Sequence, residues 1–443
     1  MPATLRRHLG LASATGICIA SMIGSGIFAI TGLIGPALGS GLNLILVWVL
    51  GGMLSLAGAF TVAELAANRP TAGALFVAAR ETLGPRLGFV NGIVTVLIGY
   101  VAAIAFISLI VGAYLEEFLP GIPANISATA IMVLLTFLHS RFMRSGARLN
   151  DAMTILKILL IALFAAAGLL VSAPENATLV TTTIETPSVW SATIGAAVVS
   201  ISFAYLGWSA AADVAGEVRN PGRTLPLAIL GSVGVVTVLY VLVNLAYLRA
   251  LPPAAMVNAQ TGEPIADIGA VAARILFGSA AGSWISLAII VVLVSTLSTM
   301  IFTGGRVLTS MAVEAELPRT LANRNRFGAP TLALLVQATL CVPFIWIPTL
   351  GGLLEYIGLL ITMCASMSGF AVLIRRRRRE IRVWSMPLHP LPVTVFLVLS
   401  GWLAVSAIID SPMTALASAG TLLAILAARP LIRYRVAHHD ARR

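Results

Sequence analysis

Two glycine-containing stretches interrupt long apolar segments, and each could expose backbone polar groups. One reads Ile23-Gly-Ser-Gly-Ile-Phe28, and the other reads Ser202-Phe-Ala-Tyr-Leu-Gly-Trp208. A glycine weakens a helix by about 1 kcal/mol relative to alanine, so both stretches favour local unwinding. Unwound backbone leaves N–H and C=O groups without helical partners, and a polar ligand can satisfy them. For either stretch alone, close helix packing through glycine is the alternative explanation.

The chain contains a single lysine, Lys157, and it lies inside an apolar segment. It follows Asp151 by six residues, which is roughly 9 Å along a helix at 1.5 Å per residue. At that depth the side chain could extend back to the aqueous interface. It could instead stay internal, where it would carry a proton or replace a bound metal cation with its own charge.

The composition indicates that the glycine stretches and Lys157 belong to a membrane protein. Of 443 residues, 58% are hydrophobic and 10% are charged, whereas a soluble domain has about 25% charged residues. The mean hydropathy is +0.98. These values exclude a soluble globular enzyme, a disordered chain and a fibrous protein. They predict an all-α integral membrane protein that crosses the bilayer many times.

The chain divides into apolar segments that are each predicted to be a transmembrane helix, because unpaired backbone cannot face lipid. We count twelve of them, with approximate spans 9–34, 42–67, 87–115, 123–139, 151–171, 192–215, 225–248, 283–307, 331–347, 350–374, 388–409 and 412–428.

The distribution of cations predicts the orientation. If the N-terminus is cytoplasmic, 25 of the 28 Lys and Arg residues fall on the cytoplasmic side, two fall outside, and Lys157 lies in the membrane. This positive-inside pattern predicts cytoplasmic N- and C-termini in a cell membrane, either plasma or bacterial inner. It also accounts for the net charge of +11 without a nucleic-acid partner. The run Arg375 to Arg379 could bind anionic membrane lipids, although orientation alone explains it.

The sequence predicts neither a cofactor nor a metal site. The five histidines form no ligand pattern, and the three cysteines lie in apolar runs without a paired spacing (Cys18, Cys341 and Cys364). A disulfide-linked accessory subunit is therefore not expected. A membrane-embedded enzyme would need His, Asp or Glu clustered at membrane depth, and a channel would need a charged ring or a filter-like repeat. Neither pattern is present, so the sequence does not support either of these two alternatives.

The two glycine stretches occur in the first and sixth segments. Helices five apart cross the membrane in opposite directions, which is typical of inverted repeats whose broken helices meet at the midplane. The N-terminal end of a half-helix favours an anion such as a carboxylate, and C-terminal carbonyls favour a cation such as an amino group. A zwitterionic amino acid suits that arrangement.

Four motifs resemble the amino acid–polyamine–organocation (APC) superfamily of transporters, and the resemblance extends over nearly the whole chain. They are Ile23-Gly-Ser-Gly-Ile-Phe28, Ala63-Glu-Leu65 through Pro70-Thr-Ala-Gly73, Gly216-Glu-Val-Arg-Asn-Pro221 through Leu225-Pro226, and Arg306 through Leu317-Pro318. The resemblance implies a secondary active transporter that works by alternating access and is not an enzyme.

The resemblance also implies an architecture. Ten helices would form two inverted repeats of five, with discontinuous helices 1 and 6 and two further C-terminal helices. The transport core would span 1–374, with helices 1–5 in about 9–171 and helices 6–10 in about 192–374. Residues 375–443 would hold helices 11 and 12 and a basic cytoplasmic tail.

Residue roles follow from the same resemblance. Gly24, Ser25 and Gly26 would hold the substrate carboxylate. Carbonyls on both broken helices would hold its amino group, which points to Ile23, Phe203 and Ala204, with Tyr205 and Gly207 as further contacts. Lys157 matches a lysine of sodium-independent members, which favours exchange or proton coupling over sodium symport. Further candidates on other helices are Tyr100, Ser295, Ser298 and Ser366.

The predicted substrate is a neutral L-amino acid. Arginine–agmatine exchangers of the superfamily carry a Glu two residues after the sixth-helix glycine, where this chain has Ser209. Glu64, Asp213 and Glu217 lie near cytoplasmic helix ends, where pairing with arginines explains them. A cationic amino acid or polyamine antiporter stays the alternative.

Overall fold

The computed structural model describes residues 7, 9–70, 74–141, 146–171, 187–259, 261–313, 317–347, 349–380 and 382–440. Motif residues 71–73 and the cations Arg6, Arg144, Arg442 and Arg443 lie outside these ranges. The described residues form seventeen α-helices and no β-strand.

The first eight helices cover the amino-terminal part of the chain. They are α1 Leu11–Met22, α2 Gly26–Leu38, α3 Gly41–Asn68, α4 Ala74–Leu83, α5 Pro85–Val94, α6 Ala103–Leu115, α7 Ala124–Arg141 and α8 Gly146–Leu170. A π-helical stretch, Thr95–Ala102, joins α5 to α6 without interruption.

Nine helices follow. They are α9 Ala192–Ala204, α10 Ala210–Asp213, α11 Pro221–Ala250, α12 Ile268–Phe277, α13 Ser279–Val313, α14 Thr331–Trp346, α15 Leu350–Arg377, α16 Leu391–Asp410 and α17 Pro412–Asp440.

Eight spans in the described part of the chain are long and apolar enough to cross a membrane. They are Leu11–Leu38, Gly41–Asn68, Pro85–Leu115, Pro221–Ala250, Ser279–Val313, Leu350–Arg377, Leu391–Asp410 and Pro412–Pro430. The other four predicted segments correspond to helices α7, α8, α9 and α14. The prediction of a polytopic all-α membrane protein is therefore confirmed.

Helices α9 and α11 lie at the centre of the packing. Helix α11 packs against α1, α3 and α8, whereas α9 packs against α2, α3, α15 and α16. Small residues allow these close approaches: a Cβ at Gly51 of α3 would lie 2.5 Å from the side chain of Ile201 on α9. Other helices surround α9 on every side, and its residues 194–204 are therefore all buried.

The connection 249–282 contains more structure than the sequence suggests. We expect a long loop there, but α12 lies within it and packs against α2, α11 and α13. The chain just before α12 meets two glycines of α2: Gly32 faces the backbone of Ile265, and Gly35 faces the sulfur of Met256. This connection therefore covers the C-terminal half of the first apolar segment.

At the opposite face, the residues preceding α1 bind the connection between α10 and α11. The Leu9 N–H donates to the carbonyl of Glu217 at 3.0 Å, and the Arg219 N–H donates to the carbonyl of Leu9 at 2.9 Å. These two bonds tie the start of the first segment to the end of the sixth.

A glycine pair tests this packing. Gly358 of α15 lies against the backbone of Val199 on α9, whereas Gly401 of α16 has no neighbouring atom within 4 Å of the position of a Cβ. We expect Gly358→Ala to cost about 1–3 kcal/mol through overpacking. Gly401→Ala should be neutral or slightly stabilising, because alanine is the better helix former. Thermal unfolding of both purified variants measures the difference, and equal midpoints would contradict the assigned α9–α15 contact.

Candidate functional site

The chain leaves helical geometry at both glycine stretches. Helix α1 ends at Met22 and α2 begins at Gly26, and Ile23 between them is extended with φ −75° and ψ 93°. Helix α9 ends at Ala204 and α10 begins at Ala210, and Gly207 between them has φ 111°. A positive φ of that size favours glycine, which explains why glycine suits position 207.

The two breaks lie side by side in antiparallel register. The Cys18 thiol donates to the carbonyl of Trp208 at 3.3 Å. A Cβ at Gly207 would lie 2.6 Å from the backbone of Ser21, and a Cβ at Gly26 would lie 2.6 Å from the Cα of Ala204. Residue numbers rise along one break as they fall along the other. The structure therefore brings the two predicted stretches together, and glycine is required at both crossing points.

Polar groups at the first break are buried without partners in the described part of the chain. The Ser25 hydroxyl belongs to a residue that is 1% exposed, and it has no hydrogen-bond partner. No acceptor is seen for the N–H groups of Gly24 and Ser25 among the described residues. The first N–H groups of α2 also lack intrahelical acceptors, as at any helix start. This cluster of donors at the positive end of α2 suits a carboxylate.

The C-terminal ends of α1 and α9 provide carbonyl groups beside these donors. The Tyr240 hydroxyl of α11 lies 2.8 Å from the carbonyl oxygen of Met22 and 3.0 Å from that of Ala204. Its single proton can be donated to only one of them at a time. Tyr240 is fully buried and therefore holds the ends of both broken helices.

Sequence reasoning missed Tyr240, although a pattern pointed to it. Tyr240, Asn244 and Tyr247 share one face of α11, as residues four and seven apart do on a helix. The Asn244 side chain hydrogen-bonds the Thr31 hydroxyl on α2, and the Tyr247 hydroxyl donates to the carbonyl of Ile27 at 3.2 Å. A polar stripe on an apolar helix was the signal.

The predicted aromatic residues at the second break face different neighbours. Phe203 packs edge-on against Phe106 of α6, with ring centroids 4.8 Å apart. The Tyr205 hydroxyl donates to the carbonyl of Trp48 on α3 at 3.1 Å. The side chain of Tyr205 therefore points away from the first break. Only its backbone belongs to the second break.

Lys157 lies on α8, which packs against α1, α11 and α13. The residue is 3% exposed, and no carboxylate lies at ion-pair distance from it in the described part of the chain. An amine that reached the interface would be exposed, so its burial favours the internal position.

The further candidates divide into near and remote groups. The methyl of Thr296 on α13 would lie 3.5 Å from a Cβ at Gly24, and it is the side chain nearest to that position. Ser298 faces α7 instead, where its hydroxyl pairs with His139 at 2.8 Å. The Ser366 hydroxyl donates to Met363 within its own helix. Thr296 was missed, because the rotation of α13 about its axis cannot be read from an apolar sequence.

Tyr100 belongs to the π-helical stretch Thr95–Ala102. Such stretches are often found at functional sites, because they shift a helix face and leave carbonyls free.

The acidic candidates do not all have the same surroundings. Glu64 pairs with Arg376 through two hydrogen bonds, one of them 2.8 Å long, so the predicted pairing is confirmed there. Asp213 is exposed and has no cation at ion-pair distance among the residues described. Glu217 contributes its backbone carbonyl to the contact with Leu9.

Two adjacent helix breaks in a multi-pass helical protein, with buried unpartnered donors at the first among the described residues, are typical of a membrane transporter. A model of the Amino acid permease family matches residues 9–427, so the chain belongs to that family. The APC resemblance is thereby confirmed, and the chain is an amino acid transporter and not an enzyme.

Curated relatives agree with this placement. The chain is 31% identical over 396 residues to the serine/threonine exchanger SteT of Bacillus subtilis, covering 87% of each chain. It is 30% identical over 429 residues to the human Asc-type amino acid transporter 1, covering 92% of this chain and 79% of the relative. It is 28% identical over 346 residues to the methylthioribose transporter of Bacillus subtilis, covering 72% of this chain and 70% of the relative.

The position of Tyr240 generates a prediction. Tyr240→Phe would leave buried carbonyls of both broken helices without their donor, at a cost of about 1–3 kcal/mol. We expect a lower thermal midpoint and weaker amino acid binding. Tyr356→Phe is the matched control, because its hydroxyl pairs with Thr421 at 2.7 Å between α15 and α17. Unchanged amino acid binding in Tyr240→Phe would contradict the assigned role.

Proposed function

We propose that this chain is a secondary active transporter of neutral L-amino acids that works by alternating access without sodium, through exchange or proton coupling. Membership of the Amino acid permease family supports the transport class. Relatives that are named a serine/threonine exchanger and an Asc-type amino acid transporter support a neutral substrate.

The observation that carries this proposal is the meeting of opposite helix ends. The N-terminal end of α2 touches the C-terminal end of α9 where Gly26 meets Ala204. A substrate carboxylate would accept from the Ser25 hydroxyl and from the N–H groups of Gly24 to Gly26. The substrate amino group would donate to carbonyls of Ile23, Phe203 and Ala204. Helix dipoles of opposite sign then match the two charges of an amino acid.

The surroundings of the breaks favour a neutral side chain. Glu64 is engaged by Arg376 and by the N–H of Met386 at 2.8 Å, so its carboxylate is occupied. Position 209 is serine rather than a carboxylate. The groups packed around the breaks are apolar or hydroxylic, as Phe106, Phe203 and Thr296 show. They suit a small or medium neutral amino acid such as serine or alanine.

The finer architecture is part of the proposal. We infer twelve membrane spans, with two inverted five-helix repeats over residues 1–374 and two further helices with a basic tail over 375–443. The antiparallel crossing of the two breaks supports the repeat arrangement. The Glu64–Arg376 pair supports it too, because it joins the ends of α3 and α15 at one face, as the second and tenth spans require.

We infer that this arginine-rich face is cytoplasmic, with both termini on that side of the cell membrane. Access to the site differs between the two faces. Ser21 and Asp213, on the side of the breaks nearer this face, are exposed, whereas Phe28 and Thr31 on the other side are buried under the 249–282 connection. We therefore assign the structure to a state closed to the outside, and transport requires the opposite closure.

We assign Lys157 to coupling. A buried ammonium supplies a fixed positive charge near the first segment, since α8 packs against α1. That charge removes the need for a sodium ion at this place, and its proton can be exchanged during the cycle.

Gly26 and Gly16 test the binding site within one apolar segment. A side chain at Gly26 would overlap Ala204, whereas a Cβ at Gly16 has no neighbour within 4 Å. We expect Gly26→Val to abolish amino acid binding while the protein still inserts, and Gly16→Val to bind normally. Binding is measured as ligand-induced thermal stabilisation, which follows from mass action.

The ligand screen contains the twenty amino acids, polyamines and methylthioribose, each with and without sodium. Stabilisation by small neutral amino acids, indifferent to sodium, is expected. Stabilisation by cationic ligands alone would overturn the substrate class and keep the family. Saturable counterflow in proteoliposomes separates the carrier from a channel. Normal binding by Gly26→Val would refute the site.

Lys157→Met retains the bulk of the stem and removes the charge. We expect it to lose transport, or to lose the dependence of transport on pH, in proteoliposomes with and without a pH gradient. The removed charge is the physical reason, because Lys157 is the only cation in the apolar part of α8, Thr154–Leu170. If rate and pH dependence are both unchanged, Lys157 has no part in coupling.

A further inference from the structure

We propose that a cleft between the C-terminal ends of α3 and α15 binds the phosphate of an anionic phospholipid. The cleft lies at the arginine-rich face, remote from the two helix breaks. Its lining includes four arginines, Arg69, Arg375, Arg376 and Arg382.

The frame of the cleft is rigid because buried groups hold it. Glu64 is 4% exposed and accepts from Arg376 and from the Met386 N–H. The Asn68 side-chain amide donates to the carbonyl of Trp384 at 2.7 Å, and its oxygen accepts from the Trp384 N–H at 3.1 Å. The segment after α15 is therefore fastened to the end of α3, and the cleft between them has a fixed shape.

Two of the lining arginines are already neutralised. Arg376 is bound to Glu64, and Arg375 donates to Glu81 at 2.9 Å. Arg69 shares that same carboxylate of Glu81. Arg375 also lies 3.8 Å from Glu380, so Glu81 and Glu380 together balance Arg69 and Arg375, and the excess positive charge comes from the remaining arginines.

Arg382 and three further arginines beside the cleft add charge without compensation. They are exposed, and none has a carboxylate at ion-pair distance among the described residues: Arg377, Arg378, Arg379 and Arg382. Seven arginines therefore face three carboxylates at this place, those of Glu64, Glu81 and Glu380. The excess of four positive charges favours a phosphate, which guanidinium groups bind in a fork geometry.

Apolar surface beside the arginines selects a lipid over a soluble anion. Val383 and Leu388, in the connection that follows α15, are each 76% exposed. Arginines at the cleft, with these exposed aliphatic residues in the adjoining connection, match a headgroup above acyl chains.

The test compares lipids on the full-length protein in detergent. Phosphatidylglycerol, phosphatidylcholine and inorganic phosphate are added separately, and the thermal midpoint is measured. Phosphatidylglycerol should raise the midpoint, and the other two should have little effect. An equal shift with phosphatidylcholine would overturn the phosphate-charge argument, and an equal shift with inorganic phosphate would overturn the lipid assignment.

Two triple variants, each of which removes three positive charges, distinguish a specific site from general attraction of anionic lipid to the protein. R377Q/R378Q/R382Q removes uncompensated arginines in and beside the cleft, and R141Q/R324Q/R326Q removes exposed arginines at the end of α7 and between α13 and α14. Each arginine near a membrane surface contributes about fivefold to anionic lipid affinity. We expect the first variant to lose most of the phosphatidylglycerol shift and the second to keep it. Equal loss in both would refute a specific site.

If the first triple variant does not fold, the single variants R382Q and R324Q replace the pair. The fraction of protein carrying phosphatidylglycerol is then counted by native mass spectrometry at one lipid concentration. Occupancy should fall in R382Q and not in R324Q, and equal occupancy would overturn the proposal.

Discussion

Backbone polar groups need hydrogen-bond partners inside a bilayer, and this constraint governs the whole structure. Most of the chain satisfies it by forming uninterrupted helices. At Ile23–Ser25 and at Tyr205–Ser209 the chain leaves helical geometry, and backbone polar groups inside the protein lose their helical hydrogen-bond partners. Such exposure is tolerated only where other parts of the protein, or a ligand, supply the missing partners. The location of the site therefore follows from the location of the two breaks.

Helix α11 supplies part of what the breaks require. Its tyrosines and asparagine reach the carbonyls and side chains of both broken segments, and they do so from a single face. The carbonyl groups at the C-terminal ends of α1 and α9 are thus partly satisfied. Among the described residues, the Ser25 hydroxyl and the N–H groups beside it have no hydrogen-bond partner. This asymmetry leaves the positive end of α2 as the stronger unsatisfied group, which suits recognition of a carboxylate.

The two faces of the protein are held by different interactions. Over α2, the 249–282 connection packs on glycines, so closure there depends on shape and on the absence of side chains. At the arginine-rich face, ion pairs join the helix ends, with Glu64 bound to Arg376 and Glu81 bound to Arg375. Backbone bonds between Leu9 and residues 217–219 link the first segment to the sixth on this face, so the two broken segments are joined where movement is required.

Hydropathy and glycine placement were sufficient to predict a multi-pass helical membrane protein and the position of both breaks. These properties are local, because lipid forces each segment to be apolar and helical by itself. Only the tertiary structure revealed α12, the orientation of the Tyr205 side chain toward α3, and the roles of Tyr240 and Thr296. Each depends on how a helix is rotated about its axis and on which neighbour it meets. In a uniformly apolar segment the sequence carries little information about that rotation, whereas packing of the complete fold sets it.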